Sequence, residues 1–304
     1  MFLCKLFRQL NATLAAENSI IDRVDHLNEI YSSEALSACQ HIAKKCDDAG
    51  ESWDYFQSPL LGDNIAKSIF GGAGALSEDT FLSDDLFVTA DKEYTSYKDI
   101  TQSIKFVKAG PRKALFCDPA KAKVAIVTCG GLCPGLNVVI REVVMCLYYN
   151  YEVKEIYGIK WGYKGCYTDV ENNWLKLTPS VVKTIHKQGG TILGSSRGGF
   201  DHDKILNSFI ERGITQVYLV GGDGTHRGIN ELIKRAKERG VVISFAGIPK
   251  TIDNDIPLID YSFGYNTSVE IASQMIEAAH TESGSSYNGI SIVKLMGRYA
   301  GFIA

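Results

Sequence analysis

From Lys123 onward, short apolar runs alternate with longer stretches whose apolar residues recur at helical spacing. Val124–Thr128, Glu155–Ile159, Thr215–Val220 and Val241–Ile248 have the length and β-branched content of buried strands. Gly289–Leu295 reads as a further strand. Leu136–Tyr149, Val181–Lys187, Arg227–Lys237 and Asn266–Thr281 carry the helical period between them. Strand and helix in alternation predict right-handed crossovers and an α/β fold, a doubly wound, mostly parallel sheet with helices on both faces. In such sheets ligands bind outside the carboxyl ends of the strands.

Residues 1–105 have a different texture and predict an N-terminal extension to the main region, 106–304. Leu27–Ala43 has the pattern of an amphipathic helix, Gly71–Gly74 punctuates the middle, and Ser83–Asp85 reads as acidic loop. None of these carries chemistry. The extension is expected to pack on the main domain or on a neighbouring subunit.

Composition narrows the class without choosing a function. The 304 residues suffice for one large or two medium domains, and 45% apolar with 22% charged residues is ordinary for a soluble globular protein. A net charge of −3 argues against a general nucleic-acid or anionic-membrane surface. The eight cysteines form no C-x-x-C pair and are expected to be reduced, mostly buried thiols of a cytoplasmic protein. No apolar stretch reaches membrane-spanning length. The start is apolar but interrupted by Lys5 and Arg8; an amphipathic helix start fits it better than an organelle-targeting segment, which the pattern does not exclude.

The strand ends carry the candidate chemistry. Val124–Thr128 runs into Cys129-Gly-Gly-Leu-Cys-Pro-Gly135 and then a helix, which would gather backbone N–H groups at one point suited to an anion. The motif is neither G-x-G-x-x-G nor a P-loop, and a tight turn needing glycine is the plain alternative. Thr215–Val220 breaks into Gly221-Gly-Asp-Gly-Thr225, which is more specific because it sets the Asp223 carboxylate inside a phosphate cradle, where it could hold Mg²⁺. Arg197, among small residues, offers a planar fork of donors to a polyphosphate, or is a solvated loop arginine. Pro249-Lys-Thr-Ile-Asp-Asn-Asp255 follows the Val241–Ile248 run. Its carboxylates can accept a proton from a hydroxyl, and Lys250 can offset charge on a transferred phosphoryl group; a polar surface turn is the alternative.

Taken together, Gly130-Gly-Leu-Cys-Pro-Gly-Leu-Asn137, Gly221–Thr225, Pro249–Asp255 and Met296-Gly-Arg298 resemble the 6-phosphofructokinases. Four motifs in the family's order are specific where each alone is weak. The wording of the first motif and the N-terminal extension are similar to the ATP-dependent plant and trypanosomatid branch. The resemblance implies transfer of the γ-phosphoryl of Mg²⁺-ATP to the 1-hydroxyl of fructose 6-phosphate, in a homo-oligomer expected to be a tetramer. It matches Asp253 to the catalytic base and Thr251 to its partner, with Lys250 and Arg298 beside the reacting group. Asp223 and Asp255 match the metal-linked acids. Gly131, Tyr163, Arg197, Gly198, Gly222, Asp223, Gly224 and Thr225 match donor-nucleotide positions, and Met296, Gly297 and Arg298 join Thr251 and Asp253 as sugar-phosphate contacts.

Donor choice rests on two residues. Within the family, glycine at position 224 leaves room for the nucleotide's α-phosphate, whereas lysine at position 250 is the pyrophosphate-type residue. The plant and trypanosomatid branch combines both with ATP use, so ATP is expected over pyrophosphate. NAD and lipid kinases share Gly-Gly-Asp-Gly, but Thr251–Asp255 and Met296–Arg298 argue against them. Gly289 stands where bacterial relatives carry an arginine reaching a neighbouring subunit, so that contact is not carried over. The family continues well beyond Met-Gly-Arg, so the resemblance implies a chain incomplete at its C-terminus. An inactive nucleotide-binding or regulatory subunit is the reading from a different class.

Overall fold

The computed structural model describes residues 117–256, 259, 261–298 and 300–304, with Pro111 and the short segments Phe56–Gln57, Phe87–Thr89, Lys105–Val107 and Ala114–Leu115. Phe56–Gln57 pairs antiparallel with Ala114–Leu115, and Phe87–Thr89 with Lys105–Val107. The helix expected at Leu27–Ala43, the glycines of 71–74 and the acidic loop 83–85 lie outside the described residues.

One sheet organises the rest. Its strands are β1 (Lys123–Thr128), β2 (Glu155–Ile159), β3 (Trp174–Lys176), β4 (Gln216–Gly221) and β5 (Ser244–Pro249), in the order β3-β2-β1-β4-β5. All neighbours are parallel except β3, which returns antiparallel on β2 with Tyr157 opposite Lys176. The principal helices are α1 (Leu136–Met145), α2 (His202–Glu211), α3 (Asp223–Glu238) and α4 (Tyr265–Gly284).

Side-chain alternation along β1 explains why both faces are covered. Val124 and Ile126 point into a core with Leu136, Ile140 and Val143 of α1 and with Val182 and Ile185. Ala125 and Val127 point the other way, into Ile205 and Phe209 of α2 and Ile229 and Leu232 of α3. The expected doubly wound, mostly parallel α/β architecture is therefore present. Asp201 starts α2 by accepting from the Lys204 N–H at 3.1 Å, and Thr178 caps the short turn Pro179–Val182 with proline at its first position. Among the described residues no helix is long and apolar enough to cross a membrane.

Three elements differ from the sequence expectation. The Val181–Lys187 helix is two pieces, Pro179–Val182 and a tight turn at Ile185–Lys187. β3 is an edge strand of three residues, too short to show a period. Gly289–Leu295 is not a strand: its backbone joins no ladder, and Ile290 and Ile292 are 87% and 91% exposed. An alternating apolar pattern becomes a strand only against a neighbouring strand and a covering face, and neither meets this segment among the described residues.

Candidate active site

The carboxyl ends of β1, β2, β4 and β5 meet on one side of the sheet, and neighbouring ends are tied together. The Cys129 N–H donates to the Val220 carbonyl at 2.8 Å, and the Lys250 N–H to the Gly221 carbonyl at 2.9 Å. The loop carrying Arg197 is stitched to the first glycine-rich turn: the Gly130 N–H donates to Ser196, and the Ser195 hydroxyl donates to the Gly130 carbonyl at 2.5 Å. Arg197 lies over this turn: a Cβ built on Gly131 would be in ordinary contact, 3.6 Å from Arg197 Nη2.

Lys250 reaches back across this floor. It is 6% exposed and its Nζ donates to the Gly131 carbonyl at 2.5 Å. Burial holds its ammonium below the usual lysine range, and the neighbouring Arg197 pushes the same way. Cys129 and Cys133 line the same corner as protonated thiols, with burial raising them to about 12 and about 11. Thiols so raised are poor nucleophiles at neutral pH.

The turn after β4 runs directly into α3. Gly222 caps the helix, and its carbonyl accepts from the Thr225 N–H at 2.9 Å and the His226 N–H at 3.1 Å. The first N–H groups of a helix have no intrahelical acceptor, so those of Asp223 and Gly224 are available to an anion. A Cβ built on Gly224 meets nothing within 4 Å, so the space beside this turn is open. Tyr163 braces the turn from behind: it is buried, its hydroxyl donates to the Thr225 carbonyl at 2.7 Å, and Phe200 packs edge-on against its ring.

The Thr251–Asp255 turn is cross-braced. The Asp253 N–H donates to Thr251 Oγ1 at 3.0 Å, and Thr251 Oγ1 donates to Asp255 at 3.3 Å. Asn254 takes a left-handed conformation, φ 51°, and its side-chain oxygen accepts from the Ser262 N–H at 2.7 Å; Ser262 Oγ in turn accepts from the Thr251 N–H. The result aims Asp253 inward. It is 7% exposed, and its Oδ1 is buried with no hydrogen-bond partner.

Arg298 draws three acids together. Its Nη2 lies 3.3 Å from Asp223 Oδ2 and 3.8 Å from Asp255 Oδ2, and its Nε lies 3.7 Å from Asp253 Oδ2. Gly297 sits against Asp253, where a Cβ would fall 3.3 Å from Asp253 Oδ1. Met296, the residue before Gly297, is exposed. Gly198, Gly224 and Arg197 are exposed, whereas Thr225, Lys250, Asp253 and Tyr163 are buried.

Asp223 and Asp255 converge on one point, as their shared arginine shows, and among the described residues no group of three or more His, Cys, Asp or Glu is arranged to hold a metal ion. Two carboxylates with open space beside them suit Mg²⁺, which keeps several waters and takes further oxygens from substrate phosphates. His226 has no role in the sequence reading; the one pointer to it is a glycine, Gly247, in the interior of β5, where a large side chain lies opposite.

A phosphofructokinase family model matches residues 123–304. The chain is 51% identical over 222 residues to ATP-dependent 6-phosphofructokinase 7 of Arabidopsis thaliana, covering 72% of this chain and 45% of the relative. It is 48% identical over 196 residues to the ATP-dependent 6-phosphofructokinase of Entamoeba histolytica, covering 64% and 45%. The chain spans about half the length of the curated relatives it matches. Among solved structures, the pyrophosphate-dependent phosphofructokinase of Marinobacter aquaeolei aligns at a TM-score of 0.48 and 19% identity, over 54% of this chain and 42% of that one.

Proposed function

The chain belongs to the phosphofructokinase family, and from that premise we propose that the protein is an ATP-dependent 6-phosphofructokinase of glycolysis. It transfers the γ-phosphoryl of ATP to the 1-hydroxyl of fructose 6-phosphate. Asp253 Oδ1 accepts the hydroxyl proton, which its burial and lack of a hydrogen-bond partner leave it free to do. Thr251 fixes the Asp253 backbone, while Arg298 neutralises the acids around the reacting oxygens. The N–H groups at the start of α3 hold donor phosphates, with Arg197 and Lys250 adding positive charge. Asp223 and Asp255 would hold Mg²⁺, which supplies charge neutralisation on the β- and γ-phosphates. Met296, Gly297 and Arg298 would hold the sugar phosphate; the same reading includes a homotetramer in the cytoplasm.

The observation that carries the donor choice is the open space at Gly224, which leaves room for the remainder of a nucleotide beside Asp223. Gly224→Asp should fill it, lowering ATP use and favouring pyrophosphate; unchanged ATP use in that variant would overturn the donor reading. One observation favours pyrophosphate as donor: Lys250 sits at the glycine-rich floor, where a nucleotide-independent phosphate site would use its charge.

A further inference from the structure

The carbonyl oxygen of Gly222 accepts three hydrogen bonds, two from the backbone of α3 and one from the His226 ring, Nδ1 to oxygen 3.0 Å. A carbonyl has no hydrogen to give, so Nδ1 carries the proton in this contact. His226 is 3% exposed, and its Nε2 is buried without a hydrogen-bond partner. The ring fits closely against β5 because residue 247 is glycine: a Cβ there would fall 2.8 Å from both Nε2 and Cδ2. Burial lowers the pKa of the ring, so it stays neutral and keeps this single donor.

We propose that His226 is a positioning residue for the donor phosphates: its Nδ1–H holds the Gly222 peptide in the orientation that turns the N–H groups of Asp223 and Gly224 into the crevice. This rests on the nucleotide reading given above. The oxygen of Gly222 belongs to the same peptide plane as the N–H of Asp223, so fixing one aims the other. The ring does not reach the phosphates; it acts through the peptide. Gly247 is part of the same device, since only glycine lets the imidazole sit behind the turn.

Asn and Leu have almost the same shape, and Asn places a side-chain N–H where Nδ1 stands in histidine. His226→Asn and His226→Leu therefore separate the donor from the filled volume. With the full chain, titration calorimetry of Mg²⁺-ATP should show affinity falling about tenfold in His226→Leu, with His226→Asn close to wild type. Hydrogen exchange should quicken at the Thr225 and His226 amides in the leucine variant and not in the asparagine variant. Equal ATP affinity in wild type and His226→Leu, or equal damage in both variants, would overturn the proposal. Gly247→Ala, which pushes the ring off the carbonyl while keeping histidine, should reproduce the leucine phenotype, and wild-type affinity there would count against it. If the wild-type chain binds no ATP, the nucleotide reading fails. The exchange comparison then still decides the clamp, since unchanged rates in His226→Leu refute it.

Discussion

Replacing Lys250 by methionine separates fold from chemistry at one atom. The side chain is 6% exposed, its Nζ has the Gly131 carbonyl as acceptor, and its charged or thiol neighbours are Arg197, Cys129 and Cys133. Methionine fills nearly the same volume. The variant loses a charged hydrogen bond of about 1.5–3 kcal/mol. It also removes the desolvation of a buried polar head, which costs about 1–3 kcal/mol. The two nearly cancel, so stability at neutral pH should change by less than about 1 kcal/mol, a Tm shift within about 4 °C.

The pH dependence has a definite sign. A lysine whose folded pKa is depressed binds fewer protons in the native than in the unfolded state between the two pKa values. Wild-type stability should therefore rise with pH from the depressed folded pKa up to about 10.4. Lys250→Met should lack that rise. Phosphoryl transfer, by contrast, should fall about 10²–10³-fold, the usual effect of removing one preorganised electrostatic group. Thermal unfolding between neutrality and about pH 10, with initial rates on the same samples, checks both halves. Wild-type rates in the variant would refute the catalytic placement of Lys250. A large loss of Tm with unchanged rates would make it a structural pin between β5 and the glycine-rich turn.

Two further outcomes follow from the same geometry. Asp253→Asn keeps the shape of the base but not its proton affinity, so turnover should fall about 10²–10⁴-fold while calorimetry shows unchanged ATP affinity. Near-wild-type turnover would remove Asp253 from that role. Gly228→Ala places a methyl 2.6 Å from the Tyr163 hydroxyl and should displace it from Thr225, at a cost of about 1–3 kcal/mol in denaturant unfolding.

The parts legible in the sequence are those where a short apolar run ends in glycine or acid. β1 and β4 show both signals, and their ends give Gly131 and Asp223 their places. Asp223 and the Asp253–Asp255 pair are some thirty residues apart, yet strand-end reasoning assigns them to one crevice. Arg298, which lies beside all three acids, follows a run that is no strand and is legible only through the family resemblance. What the chain hides depends on contacts between segments. Gly289–Leu295 has a strand's alternation but no strand beside it. The hydrogen bond from the Tyr163 hydroxyl to the Thr225 carbonyl joins two segments 62 residues apart and has no trace in the sequence pattern. His226 is nearly hidden because its partner is a backbone oxygen and its socket is a glycine on the next strand, Gly247.

The most direct measurement is a coupled assay for fructose 1,6-bisphosphate, with fructose 6-phosphate, Mg²⁺ and either ATP or pyrophosphate. Product driven by ATP, and lost in Asp253→Asn, is the result expected of an ATP-dependent phosphofructokinase. Product driven by pyrophosphate alone, or none from either donor, would contradict it.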